Sequence, residues 1–443
     1  MALGTEAAVT SVEVEAFATK IPSLIPMSKS LYALAKDRFT NVPVSFTTTG
    51  GATTRPSFRV PFRVQGGAAI AQGTGNGDSL GRGNASIWND FVLSPVWHYA
   101  VNEITTLARL ATNGKKRGLI SLKAEELKNS LDSAMAGIEG IMYGDSSGAI
   151  TQIPTSGTVS SGSGTGNQTS FITGVRAMAF TDNQIVQFFP SEGGTSRGTA
   201  TISINDPVTG TLWFSTALPA TGGATAVGDY IMIAGSSGVL GQGVIGTTGW
   251  NNSATSGTIA GINRATYPSR ISTPSINLNG GSVTASLSQR IEALLGRAMG
   301  DSNQTKDSGM YLMGEDQRVA IAETTYYNKQ INLQNGEQGK SGNVPDVSKK
   351  YFDGTFGGRE VHLSYVQPLG RIDMLLTDEW SIGELISLQL YDYGNGNTTM
   401  PTPDPAGNGW LTSNQFAYVT SFNMACSAPR HQLYTYGASQ PTI

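Results

Sequence analysis

The chain has few charged residues and a single cysteine, and both shortages exclude classes of protein. Charged residues make up 14% of its 443 residues, and the formal net charge is -3. The sequence therefore lacks the basic stripe that sequence-specific nucleic-acid binding requires. Cys426 is the one cysteine, so no disulfide forms within the chain and a reducing cytoplasm suits the fold.

Long hydrophobic runs are also absent from the sequence. No stretch approaches the ~18 uninterrupted apolar residues of a membrane span, and the opening MALGTEAAVTSVEVEAF lacks the basic start and apolar core of a secretory signal. We therefore expect a protein that neither spans a membrane nor is exported by that route. Glycine is abundant instead, with 55 residues, which is typical of a loop-rich chain with many strands.

Catalytic and metal-binding patterns are incomplete. Gly77-Asp78-Ser79-Leu80 matches the nucleophile motif of a serine esterase family, but His98, His362 and His431 each lack an aspartate three residues earlier. Residues 144–148, GDSSG, fit the G-x-S-x-G elbow but follow a helical pattern, so we expect a helix stop there. The sequence predicts no catalytic residue, no cofactor and no metal site, and hence no enzyme.

A long hairpin is predicted before residue 98. In SFRVPFRV (57–64) apolar and polar residues alternate, which indicates a half-buried strand, and Pro61 confines that strand to an edge or an isolated ribbon. IWNDFVLSPVWHY (87–99) is a second extended run. The glycine-rich GTGNGDSLGRGN (73–84) between them is interpreted as a flexible tip.

Four residues of this hairpin are candidate inter-subunit contacts. Arg59 and Arg63 share one face of the first strand and can clamp the carboxylates of a neighbour. We favour that role over solvated edge charges because a protruding ribbon has little of its own body to pack on. In the tip, Asp78 and Arg82 are candidate polar contacts.

The next two segments differ in residue pattern and composition. SLKAEELKNSLDSAMAGIEGIMYG (121–144) has apolar residues spaced by threes and fours, which predicts an amphipathic helix of about six turns. Residues 151–265 contain no lysine and seven charged residues, with short β-prone runs between Gly, Ser and Thr turns. This pattern indicates an all-β sandwich or barrel inserted into a mixed host, and the overall class is α+β.

In order and texture, the elements resemble the major capsid proteins of tailed phages, the Hong Kong 97-type capsid fold. The resemblance rests on VPVSFTTTGGATTRPSFRVPFRV leading to GDSLGRGN, on the segment from EITTLARLAT to IEGIMYGDSSG, and on GINRATYPSR and FGGREVHLSYVQPLGRIDMLL. It covers nearly the whole chain apart from the insert. It implies the following parts: an N-terminal arm (1–41), an extended loop (42–98), a peripheral domain with a spine helix (99–150), the inserted β-domain (151–265), an axial domain (266–345), peripheral-domain strands (346–390) and the C-terminal part of the axial domain (391–443).

The resemblance also implies a function. It predicts a structural protein that self-assembles into hexamers and pentamers of an icosahedral phage head, located in the virion and assembled in the host cytoplasm. Its implied partners are other copies of the chain, a portal, scaffolding or decoration proteins, and non-specifically packaged double-stranded DNA, with no membrane. Covalent cross-linking through the loop is not expected, because no lysine lies between Lys36 and Lys115. The alternative is a virion surface protein that binds carbohydrate or a receptor through residues 151–265.

Overall fold

The computed structural model describes twelve stretches of the chain: residues 31–49, 52–66, 85–105, 122–154, 157–161, 168–191, 194–234, 243–299, 309–321, 355–394, 397–403 and 409–439. Its α-helices are α1 (Leu31–Arg38), α2 (Leu122–Met142), α3 (Thr247–Trp250), α4 (Pro268–Ile271) and α5 (Ala285–Met299), and residues 315–321 are also helical. Short 3-10 turns occupy Ala177–Ala179, Arg264–Thr266, Thr377–Glu379 and Pro429–His431. Among the described residues, none of the helices is long and apolar enough to cross a membrane.

The strands are numbered in chain order. They are β1 (Thr40–Asn41), β2 (Ser45–Thr49), β3 (Ala52–Gln65), β4 (Ile87–Leu93), β5 (Val96–Thr105), β6 (Ala149–Gln152), β7 (Val159–Ser161), β8 (Ser170–Ile172), β9 (Ile185–Phe189), β10 (Gly198–Asp206), β11 (Thr211–Phe214), β12 (Tyr230–Ile233), β13 (Thr258–Ile259), β14 (Ile262–Asn263), β15 (Ser275–Asn277), β16 (Gly309–Met313), β17 (Thr355–Phe356), β18 (Arg359–Leu363), β19 (Ile372–Leu376), β20 (Trp380–Leu390), β21 (Met400–Pro403), β22 (Trp410–Cys426) and β23 (Leu433–Tyr436). The predicted α+β class is confirmed.

The chain divides into two compact units, each built from three separate stretches. Unit 1 comprises Met1–Tyr32, Pro95–Val244 and Glu384–Phe422, and unit 2 comprises Ala33–Ser94, Ile245–Gly383 and Asn423–Ile443. Each unit therefore depends on contacts between segments that are far apart in sequence.

Unit 2 is organised around a six-stranded mixed sheet in the order β15-β23-β19-β16-β18-β17. Its central strands β16 and β19, GMYLM and IDMLL, are buried along their whole length, as their near-continuous apolar sequences require. Helix α5 buries Leu287, Ile291 and Leu295 in the same core cluster as Tyr311 and Met374. The apolar side chains on one face of α5, spaced by about 3.6 residues, thus pack against alternate side chains of the strands.

A charged network lies within this otherwise apolar sheet. Asp373 on β19 is fully buried and accepts hydrogen bonds from Nη2 of Arg371 (2.7 Å), Nδ2 of Asn251 (2.9 Å) and Nε2 of Gln367 (2.6 Å). The guanidinium of Arg371 also lies 4.3 Å from the ring centroid of Tyr434. These donors offset the desolvation of the carboxylate, and they tie the loop before β19 and the segment after α3 to the sheet.

The hairpin strands β3 and β4 also belong to unit 2. They pair antiparallel from Phe58 opposite Leu93 to Gln65 opposite Ile87, which confirms the two flanking strands that the alternation predicts. Strand β2 pairs with the earlier half of β3, from Ala52 to Ser57. Around Pro61, β4 is therefore the one paired neighbour among the described strands, as a proline requires.

In unit 1, helix α2 packs along β5, which pairs antiparallel with β22 over ten positions. The helix predicted over residues 121–144 is confirmed; it ends at Met142, and residues 144–148 form a turn after it. Two residues of that turn, Ser146 and Gly148, have positive φ angles of 88° and 83°. The helix stop expected from GDSSG is therefore confirmed, and its motif is not an elbow between a strand and a helix.

A seven-stranded sheet, in the order β6-β12-β9-β10-β11-β8-β7, occupies residues 149–233 of unit 1. Its inward side chains, including Phe188, Ile202 and Phe214, are fully buried. Arg197 makes a bidentate pair with Asp229, with Nε to Oδ2 at 2.6 Å and Nη2 to Oδ1 at 3.1 Å. The strand-rich character predicted for this segment is confirmed.

Two stretches of the sequence are divided between the units. The aromatic run 87–99 divides at Ser94 and Pro95, so that β4 pairs with the hairpin in unit 2 and β5 pairs with β22 in unit 1. Residues 245–265 belong to unit 2, whereas residues 149–233 belong to unit 1. Trp250 explains that placement: it is fully buried, and its Nε1 donates to the carbonyl oxygen of Met424 at 3.0 Å.

Candidate functional site

The hairpin buries one of its faces. Phe58, Val60 and Phe62 are buried, and Phe62 stacks on Phe91 of β4 with ring centroids 4.3 Å apart. Phe91 in turn meets Trp250 edge-on at 4.9 Å. The expectation that this ribbon has little of its own body to pack on is therefore wrong for the described part of the hairpin.

A glycine makes room for the first of these rings. A Cβ on Gly383 would lie 2.2 Å from Cδ1 and 2.3 Å from Cε1 of Phe58, so the contact requires a residue without a side chain. Six residues further along β3, Nε of Arg270 donates to the carbonyl oxygen of Val64 at 3.0 Å. Ring packing near the base and this hydrogen bond near the other end of β3 together fix the described length of the strand within unit 2.

The opposite face of β3 carries two of the candidate contact residues. Arg59 and Arg63 are both exposed and lie on one face, as predicted. Nη1 of Arg59 lies 3.9 Å from Oδ2 of Asp90 on the adjacent strand, and an exposed pair of that length contributes about 0–1 kcal/mol. Contact of these arginines with a neighbouring subunit stays a prediction, and Asp78 and Arg82 lie outside the described residues.

A second exposed surface lies on strand β5 in unit 1. Trp97, Tyr99 and Val101 alternate along the strand and are 42%, 56% and 62% exposed. Trp97 stacks on Tyr99 with ring centroids 6.1 Å apart and planes 11° apart, and Tyr99 meets Tyr391 edge-on at 6.3 Å. We call these four residues the aromatic face. Contiguous apolar surface of this kind marks interaction sites on folded proteins.

The intervening residues of β5 face helix α2. Nδ2 of Asn102 donates to Oε2 of Glu126 at 3.1 Å and to Oγ of Ser130 at 2.7 Å. Burial lowers the pKa of His98 to about 4, so the imidazole is neutral at pH 7. Because this side of β5 is committed to the helix, the aromatic face is the side left to meet a partner.

Sequence reasoning missed the aromatic face. The signal was present, since VWHYAV alternates aromatic or apolar residues with smaller or polar ones. The sequence predicts that residues 87–99 form the return strand of the hairpin, whereas Trp97 lies on β5, which pairs with β22. Tyr391, about 290 residues further along the chain, joins the face only through the pairing of β5 with β22.

The residues that could suggest catalysis have structural roles. Ser146, the serine at the nucleophile position of the G-x-S-x-G pattern, lies in the turn after α2 with a positive φ of 88°, next to Ser147, whose hydroxyl bonds to Asp145. Nδ1 of His431 lies 2.7 Å from Oε1 of Glu379, while Cys426 is fully buried, and burial raises the pKa of its thiol. A thiol held protonated in this way is a poor nucleophile. Within the described part of the chain, no cluster of His, Cys, Asp and Glu has the arrangement of a metal site.

Comparison with known proteins gives no match to any family model and none to a curated protein sequence. Among solved structures, the chain superposes on a chain of the cyanophage A-1(L) capsid asymmetric unit with a TM-score of 0.52 and 11% identity, covering 97% of this chain and 99% of that one. The chain has the Hong Kong 97-type phage capsid fold. Chains of the empty GTA particle capsid (TM-score 0.47, 9% identity, 95% and 94% covered) and of the cyanophage P-SCSP1u capsid (0.43, 10%, 96% and 92%) also match. The fold assignment depends on the first superposition alone.

Within this Hong Kong 97-type fold, the structure describes the two strands of the hairpin, the spine helix and the central sheet of unit 2. The domain boundaries expected from the sequence stay predictions, and so does the status of residues 151–265 as an inserted domain. Both exposed surfaces, the arginine face of β3 and the aromatic face of β5, belong to elements of the capsid fold. We therefore treat them as the candidate functional site.

Proposed function

We propose that this chain is the major capsid protein of a tailed bacteriophage, which self-assembles into hexamers and pentamers of an icosahedral head around double-stranded DNA. The observation that carries the proposal is the likeness to the cyanophage A-1(L) capsid chain, which extends over 97% of one chain and 99% of the other. A likeness from end to end, and not over one module, favours the same use of the whole chain.

The exposed surfaces support assembly on physical grounds. The aromatic face places Trp97, Tyr99 and Val101 in water in an isolated subunit, and covering them gives roughly 25 cal/mol for each Å² of apolar surface buried. Arginine and aromatic residues are enriched at protein interfaces. Closed symmetry repeats each contact around a ring and a shell, so weak single contacts suffice for a stable particle.

The role is structural and not enzymatic. His431 and Cys426 are engaged or buried as described above, and Ser146 of the G-x-S-x-G pattern lies in a turn that follows a helix and not a strand. A shell protein needs complementary edges and no catalytic group. This agrees with a chain whose candidate catalytic motifs lack their partners in sequence.

The charge of the chain suits an enclosure for DNA. A strongly basic lining would bind packaged DNA tightly through its phosphates. A chain with a formal net charge of -3 can enclose DNA without binding it tightly. We place the protein in the virion, with other copies of itself as its main partners. A portal and scaffolding or decoration proteins complete the proposed set.

Sedimentation velocity of the purified protein tests this proposal. We expect rapidly sedimenting capsomers or shells for the natural chain. The double variant Tyr99→Ser with Val101→Ser should shift the distribution toward slow species, because it removes the apolar contact surface. Val208→Ser is the matched control, since Val208 is 93% exposed but isolated in a turn, and it should assemble normally. A natural chain that stays monomeric at every concentration, or a double variant that assembles like the control, would contradict the proposal.

A further inference from the structure

The outer face of the 149–233 sheet carries a row of side chains that do not pack into its core. Across strands β7, β8, β11 and β10, Ser160 lies opposite Phe171, Phe171 opposite Trp213, and Trp213 opposite Ile204. Their sequence neighbours Ile172, Leu212 and Phe214 are fully buried on the other face. The row therefore points outward from strands that are held by a packed core.

The centre of this row is an aromatic platform. Phe171 and Trp213 lie with ring centroids 4.9 Å apart and planes tilted by 46°. Both rings are half-buried, and Ile204 beside them is 46% exposed. A register shift between Ile202 and Ile204 turns Ile204 to the outer face, where it extends the platform.

A second, polar row runs beside the first, two residues further along the strands. Asp206 lies opposite Thr211, which is itself buried, and Thr173 comes directly after β8, where its Oγ1 accepts the N–H of Thr158 at 2.9 Å. The hydroxyl of Thr209 joins Asp206 to Thr211, with Thr209 Oγ1 2.6 Å from Oδ2 of Asp206 and 2.9 Å from Oγ1 of Thr211. Two residues of a strand span about 7 Å, so the polar row is within reach of a ligand lying on the platform.

The carboxylate of Asp206 is fixed and available. Its Oδ1 accepts the N–H of Val208 at 3.0 Å, and the Thr209 hydroxyl bonds to its Oδ2. The Thr209 hydroxyl, followed by the two backbone N–H groups, lowers its pKa, so the group is ionised at neutral pH. A carboxylate has about four acceptor sites, which leaves capacity for hydroxyl donors of a ligand.

These features select one kind of ligand. Asp206 is the single charged side chain of the two rows, so the face offers nothing to attract a phosphate or another anion. An aromatic platform beside a row of hydroxyl and carboxylate acceptors complements a molecule with apolar C–H faces and many hydroxyl groups. A pyranose ring has both, and it is about as wide as the spacing between the rows.

We propose that the outer face of strands β7, β8, β11 and β10 binds a neutral oligosaccharide. One sugar ring stacks on Trp213 and Phe171, and its hydroxyls donate to Asp206 and exchange hydrogen bonds with Thr209 and Thr173. This is a binding activity in addition to shell formation, and it does not depend on the shell. The rigid sheet beneath the platform holds both rows in place before the ligand arrives.

Calorimetric titration of the full-length protein with maltohexaose, cellohexaose and tetra-N-acetylchitotetraose tests the proposal. We expect at least one of these to bind with a Kd between micromolar and millimolar. Trp213→Ala should weaken that binding at least tenfold, and Asp206→Asn should weaken it severalfold. The matched control is Trp410→Ala, which removes a tryptophan that is 65% exposed on β22 and should leave binding unchanged.

A second variant separates loss of the site from loss of the fold. Ile204→Lys adds a long charged side chain at the exposed end of the platform without opening the core, and it should also weaken binding at least tenfold while the thermal unfolding midpoint stays unchanged. The proposal is overturned if none of the three oligosaccharides binds at millimolar concentration. It is equally overturned if Trp213→Ala and Ile204→Lys bind as tightly as the natural chain. Sedimentation of the same variants reports shell formation separately, so failure of this site and failure of the capsid proposal are distinguishable.

Discussion

Gly383 should be essential for docking the base of the hairpin. Replacing it by Ala places a methyl group 2.2–2.5 Å from three ring atoms of Phe58, where ordinary carbon contacts are about 3.5–4.0 Å. Phe58 is 1% exposed, so its ring cannot swing into solvent to relieve the overlap. We expect a loss of about 1–3 kcal/mol in the free energy of unfolding, the usual cost of overpacking a core.

A double-mutant cycle attributes this loss to the ring. Phe58→Ala alone should cost about 3–5 kcal/mol, because it leaves a cavity. In the double variant the methyl group introduced by Gly383→Ala no longer meets a ring, so the combined loss should fall short of the sum by more than about 1 kcal/mol. Residues that do not contact one another would instead give additive losses within about 0.5 kcal/mol.

Urea unfolding of the dissociated subunit at one fixed protein concentration, followed by tryptophan fluorescence, measures each variant. Gly66→Ala is the matched control, since a Cβ there meets no atom within 4 Å, and it should change stability by less than about 0.5 kcal/mol. Gly383→Ala with the stability of the natural chain would refute the reasoning. Additive losses in the cycle would refute it as well.

Three further predictions concern other parts of the chain. His98 has a pKa of about 4 when folded against an ordinary value of about 6.5, so as the pH falls between these values the unfolded state takes up the proton first. The free energy of unfolding measured in urea should therefore drop by about 2 kcal/mol from pH 7 to pH 5. The variant His98→Phe should remove most of that drop. Arg197→Ala leaves Asp229, whose side chain is 4% exposed, without its ion-pair partner and should lower the free energy of unfolding by about 3–5 kcal/mol. The double variant Arg197→Met with Asp229→Leu should lower it by less in the same assay. Equal losses for the two variants would argue against a buried-charge penalty. The double charge reversal Arg59→Glu with Arg63→Glu should leave the thermal unfolding midpoint within about 2 °C of that of the natural chain, because both side chains are exposed. It should nevertheless lower the yield of assembled particles at least tenfold in sedimentation. Unchanged assembly would show that these two residues are not inter-subunit contacts.

Local pattern predicted the elements whose environment is set by their own sequence. The two-residue period of SFRVPFRV predicts β3, because Phe58 and Phe62 are buried while Arg59 and Arg63 are exposed. The spacing of Leu127, Leu131 and Ile138 predicts helix α2, in which Ile138 is buried and the two leucines are partly buried. Both signals depend only on which face of one element meets a core.

Long-range pairing could not be predicted from such patterns. Strand β5 follows β4 after two residues, yet it pairs with β22 more than 300 residues later, and that pairing creates the aromatic face. Trp250 lies in a segment with the same glycine- and threonine-rich texture as the 149–233 sheet, yet it packs on Phe91 in unit 2. In both cases the placement depends on a partner that is distant in sequence.

Electron cryomicroscopy of the purified, assembled protein tests the central claim most directly. We predict closed particles of uniform size whose reconstruction shows fivefold and sixfold rings, with the fold of this chain fitted into every subunit of both kinds of ring. Monomers or trimers that never close into shells under any assembly condition would contradict the claim that this chain is a capsid subunit.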